Sequence, residues 1–189
     1  MDFFNYVMVL ASVIIGLAVT HLLQGVAKLI QDPDRPRLYW VHCTWIGLMF
    51  LNALFWWWWQ FSLSRRPGWT FEFYLFVISF AVLLYLICAV LVPSTLRNYA
   101  DYRAYYFSRR RWLFGLLLAF SLFDLLDSAF KGWSHLVGLG WLYFVSVLVR
   151  SVLMIVAMQS RSARFHGFVV LAFLADLGIL IFRNFHMLH

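Results

Sequence analysis

The sequence predicts an all-α fold: a polytopic integral membrane protein, a bundle of six transmembrane helices in a single domain over residues 1–189. Three observations carry this. Six long apolar stretches cover 3–30, 38–61, 71–92, 112–130, 137–158 and 165–188, with little polypeptide between them. Each approaches the roughly 20 residues that a helix needs to cross hydrocarbon. Charged residues make up only 12% of the chain, about half the share in a soluble domain. The stretches also lack the alternation of a barrel strand, and backbone amides in lipid must be satisfied within a helix or a closed barrel.

The first stretch begins after Asp2 rather than after a basic segment and exceeds the apolar length of a secretory signal, so it reads as a span. Its Ser12, Gly16, Thr20 and Gln24 recur at i, i+4 and suggest a close helix–helix contact. The second stretch places His42, Trp45, Met49, Asn52, Trp56 and Trp59 on one seam. Trp56 to Trp59 end it as an interfacial aromatic belt. The third starts at Thr70–Glu72, where an acidic side chain complements the helix dipole. The connector at 94–111 mixes Tyr99, Tyr102, Tyr105 and Tyr106 with arginines. It reads as an interfacial helix whose Arg103, Arg109, Arg110 and Arg111 meet anionic lipid headgroups.

The last three stretches carry the charges. The fourth has Ser121, Asp124, Asp127, Ser128 and Lys131 on one face, with Asp127 and Lys131 in the favourable i, i+4 order. The fifth holds Arg150, with Tyr143 and Ser146 on the same stripe. The sixth holds Asp176 and, further on, Arg183. Counted along the helices, Arg150 and Asp176 lie at similar depth on neighbouring antiparallel spans. A charge at mid-membrane costs at least about 2.5–3.5 kcal/mol, which predicts an Arg150–Asp176 ion pair. Asp124 is left to face Arg183 or to hold a proton.

All four prolines fall outside span interiors, so the helices should run nearly straight, unlike discontinuous transporter helices. Loops after spans one, three and five hold 10 basic residues against 4 on the other side. The positive-inside rule then puts both termini outside, in a bacterial cytoplasmic membrane. The net charge of +7 sits at span ends, which speaks for lipid headgroups and against nucleic acid.

Function is less legible. No G-x-S-x-G, H-E-x-x-H, P-loop or C-x-x-C motif marks an enzyme. Asn52, Asp124, Arg150 and Asp176 are costly polar groups near mid-depth. They suggest an oligomeric channel or transport module for an ion, proton or small solute. One rival is an accessory subunit whose charges only specify helix pairing. The other is a metal or haem redox protein using His21, His42, Cys43 and Cys88, residue types that suit transition metals but here lack a ligand-spacing motif. A more remote cluster gathers His135, His186 and His189 near Glu72 and Asp127. Small-residue stripes on so small a body also suggest a homo-oligomer.

Overall fold

A computed structural model of the chain describes residues 3–31, 37–60, 68–93, 95–130, 137–138 and 140–185. Six long helices account for nearly all of them: α1 (Phe3–Gln31), α2 (Trp40–Gln60), α3 (Phe71–Leu91), α4 (Tyr102–Phe130), α5 (Gly140–Gln159) and α6 (Ala163–Phe185). Helices α1, α3, α4 and α6 are long and apolar enough to cross a bilayer, and the apolar part of α5 is shorter, at Tyr143–Gln159. The protein is an all-α membrane helix bundle.

Successive helices run antiparallel, which gathers the loops after α1, α3 and α5 at one basic end. Around the bundle α1 packs on α3, α3 on α4, α4 on α5 and α5 on α6. Helix α2 touches α1, α3, α4 and α6, which puts it at the centre. Its predicted seam faces inward: His42, Trp45, Met49 and Trp56 are buried and Asn52 is half-buried. The tryptophan run is therefore not a simple belt. Trp58 is exposed, but Trp56 meets Phe80 edge-on at 5.6 Å and Trp59 stacks on Phe55 at 5.8 Å.

Lipid tails are as apolar as leucine, so van der Waals contact between helices does the packing. Phenyl rings interlock α3 with α4. Phe80 and Phe120 lie 4.7 Å apart, and Phe76 stacks on Phe123 at 5.3 Å. Phe130 closes edge-on over Phe76 at 5.1 Å. Each such pair adds about 0.5–1.5 kcal/mol beyond simple burial.

Two sequence expectations are corrected. On α1 the Ser12–Gly16–Thr20–Gln24 stripe faces outward. The buried stripe is Ala11, Ala18 and Gly25, spaced by sevens, with Val7, Ile15 and Leu22 beside it. Gly25 marks the tightest approach: a Cβ there would stand 2.7 Å from the Val92 methyls. The 94–111 connector is likewise not a separate helix on the headgroups. Asp101 caps α4, accepting from Ala104 N at 2.7 Å, and α4 then runs unbroken for 29 residues. That is ~43 Å, longer than the ~30 Å hydrocarbon core, so its first turns extend the bundle beyond the lipid. Tyr102, Tyr105 and Tyr106 turn inward and are buried.

Those tyrosines close the basic end. Tyr105 Oη donates to Val90 O at 2.7 Å, and His42 Nε2 donates to Leu91 O at 2.7 Å. The last turn of α3 thereby finds partners for carbonyls that a helix end leaves orphaned. Tyr106 Oη donates to His166 Nδ1 at 2.9 Å, and His166 Nε2 donates to Ser160 O at 3.1 Å. This chain ties the α5–α6 loop to α4.

Candidate functional site

Four helices bring polar side chains to one place. Asn52 from α2, Asp124 and Ser121 from α4, Arg150 from α5 and Asp176 from α6 all line a single cavity of about 100 Å³. Its walls are otherwise apolar and aromatic, with Trp56, Trp59, Phe80, Phe120 and Phe173 among them. Counted along α2, Asn52 lies 12 residues from the helix start, or ~18 Å from the basic end. Along α5, Arg150 lies 9 residues from Gln159, or ~14 Å from that end. The cavity therefore sits near mid-bilayer.

Arg150 Nη1 and Asp176 Oδ2 are 3.0 Å apart, joining α5 to α6. The antiparallel pairing of these two helices and the matching depth of the residues bring this about. The pair is not fully enclosed: 23% of the Arg150 side chain and 39% of the Asp176 side chain are exposed. Asp124 does not wait for Arg183, whose side chain lies outside the described residues. Its Oδ2 accepts from Tyr143 Oη at 3.1 Å, and Ser128 Oγ lies 3.4 Å from the same hydroxyl. A polar string therefore leads from the cavity along α4 and α5, away from the basic end. Tyr143 is the residue that sequence reasoning did not assign. Its signal was present, because Tyr143, Ser146 and Arg150 share a stripe that faces Asp124 and Ser128 at equal depth.

Three polar atoms of the lining have no protein partner: Asn52 Oδ1, Arg150 Nε and Trp56 Nε1. Two are N–H donors and one is an acceptor. Buried polar groups of this kind are ordinarily met by water or a ligand. The volume has room for several waters.

The other predicted groups are scattered. His42 is buried against Tyr102 at 5.5 Å and committed to Leu91 O. His21 lies beside Tyr85, with ring centroids 6.5 Å apart. Cys43 is half-buried and Cys88 buried, both as free thiols. Among the described residues no three His, Cys, Asp or Glu side chains gather as a metal site would require. His135, His186, His189 and Lys131 lie outside the described residues. Of the four arginines of the α4 base, Arg103 lies over the Phe107 ring at 6.0 Å, Arg109 and Arg111 are exposed, and Arg110 is buried.

No known family model, curated protein or solved structure matches this chain.

Proposed function

We propose that this protein is a transport module that passes a proton or a small monovalent cation through the mid-membrane cavity. The observation that carries the reading is the convergence of Asn52, Asp124, Arg150 and Asp176, from four helices, on one cavity. Four unrelated packing pairs would scatter such groups over several helix contacts. Here they share a water-sized space in which polar atoms remain to be satisfied.

The acidic groups support a cation. Arg150 and Asp176 neutralise one another, and Asp124 brings a second carboxylate to the same lining. Ionisable groups inside a bundle that face a cavity are the usual elements of proton and ion paths. Tyr143 bridges Asp124 to Ser128 and supplies a hydroxyl through which a proton can hop between the cavity and the end opposite the basic loops. The excess of arginine supports a cytoplasmic basic end in a bacterial inner membrane. The string then points outward.

The test is flux. The full chain in liposomes carrying a lumenal pH dye should pass protons down a potassium diffusion potential. Asp124→Asn should cut that flux at least about tenfold, the scale of a lost proton-transfer group. Sodium or potassium uptake under the same potential distinguishes a cation from a proton. Liposomes silent to all three would overturn the reading and favour a purely structural role for the charges.

A further inference from the structure

The basic end holds an unusual cation. Arg110 is only 8% exposed, the one buried arginine or lysine among the described residues. Its Nη1 donates to Phe107 O of its own helix at 2.6 Å, and its Nε has no partner. Arg111 follows it on α4, and Arg161 adjoins Ser160 of the loop that His166 ties to α4, so both charges oppose its own. Among the described residues Asp101 is the sole carboxylate at this end. It is spent capping α4, ~13 Å away along the helix. The α5–α6 loop adds more positive potential. Helix α6 starts at Ala163 with no acidic residue in its first turn and with Arg164 inside it, where a helix dipole favours anions. Three arginines and a helix start thus share a site with no counter-charge among the described residues.

A buried cation held this way is costly unless an anion completes it. The geometry points to a phosphate oxyanion bound by Arg110, Arg111 and Arg161 at the junction of α4 with the α5–α6 loop. Guanidinium forks match phosphate oxygens in bidentate pairs, which a lysine cluster would not do. The site is built rather than incidental. The Tyr106–His166–Ser160 hydrogen-bond chain fixes the loop against α4, so the backbone that carries Arg161 is held beside the backbone that carries Arg110 and Arg111. The level of the site, where α4 leaves the hydrocarbon, is that of lipid headgroups. A phosphodiester lipid and free phosphate offer the same chemistry, and the experiment separates them. None of this depends on transport through the cavity.

The full chain in dodecyl maltoside micelles, which carry no phosphate, is compared with the same micelles doped with phosphatidylglycerol, and with micelles plus inorganic phosphate. The readouts are the thermal midpoint and the lipid that co-purifies. Phosphatidylglycerol should raise the midpoint and be retained. Arg161→Gln should weaken its apparent affinity roughly fivefold, the scale of one interfacial arginine, and Arg161→Lys should recover part of that. Arg97→Gln, an exposed arginine on the α3–α4 connector, should leave it unchanged. If inorganic phosphate alone reproduces the rise, the site stands with free phosphate as its ligand. Arg161 and Arg111 are exposed, so their glutamine variants remain informative if Arg110→Gln does not fold. Absence of any rise, or an equal loss in the Arg97 and Arg161 variants, would overturn the site in favour of a diffuse surface potential.

Discussion

Replacing Arg150 by leucine leaves Asp176 at mid-membrane depth without its guanidinium. Breaking one side of a fully buried pair costs about 3–5 kcal/mol. Here 39% of the Asp176 side chain remains exposed and the cavity has room for water, so the cost falls to the bottom of that range or below it. We expect Arg150→Leu to lower the unfolding free energy by about 2–3 kcal/mol, close to the minimum for a charge at a helix centre. Adding Asp176→Leu removes the stranded charge as well, and the double variant should recover to within about 1 kcal/mol of the parent. The charge-swapped Arg150→Asp/Asp176→Arg protein should recover partially. Unfolding by SDS titration in mixed micelles, followed by circular dichroism, reads all four proteins. Additive losses in the double variant would refute the reasoning, because they would show that the 3.0 Å contact carries no mutual dependence.

Two further outcomes test the packing. Gly25→Ala puts a methyl 2.7 Å from the branched, rotationally stiff Val92, and should cost about 1–3 kcal/mol in the same titration. Val92→Ala in that background should restore most of the loss. Tyr106→Phe leaves His166 Nδ1 without its donor in a fully buried position, and should destabilise by about 1–3 kcal/mol, with added proteolysis at the α5–α6 loop.

How much of this was legible follows from what lipid does to sequence patterns. The six helices were readable as long apolar stretches because hydrocarbon demands length and apolarity, and α1, α3, α4 and α6 meet both in full. Which face of a span points inward was much less so, because core and lipid are equally apolar and a periodic contrast fades. Ser12, Gly16, Thr20 and Gln24 looked like a packing stripe on α1, yet Ala11, Ala18 and Gly25 do the packing. Small residues suit both positions, and only the shape of α3 decides. Polar side chains on spans escaped this ambiguity, since lipid penalises them strongly. That is why Arg150 and Asp176 could be matched by depth alone. The α4 base was misjudged for a different reason. Its arginines suggested a surface helix, while Asp101 as a cap and the buried Tyr102, Tyr105 and Tyr106 make it the opening of α4. An Asp before a helical run was a visible start signal.

The cavity is asymmetric, and the asymmetry bears on how a proton would cross. Toward the opposite end the Tyr143–Ser128 string leads away from Asp124. Toward the basic end the next layer is apolar. Trp45 is fully buried, edge-on to Phe114 at 5.7 Å and tilted against Phe173 at 5.3 Å. Met154 and Val170, also fully buried, occupy α5 and α6 in that layer. These side chains offer no titratable group to relay a proton, so a proton at Asp124 would communicate with one side only until these rings move. Alternating exposure then requires the plug to part, and Trp45, on the central helix, is its largest member. Trp45→Ala should remove the barrier and convert a potential-driven, saturable flux into a larger leak that rises linearly with the driving force. Trp45→Phe, which keeps a ring in place, should stay near the parent. A folded Trp45→Ala protein with parental flux would show that the indole is not the barrier and that the closed end lies elsewhere.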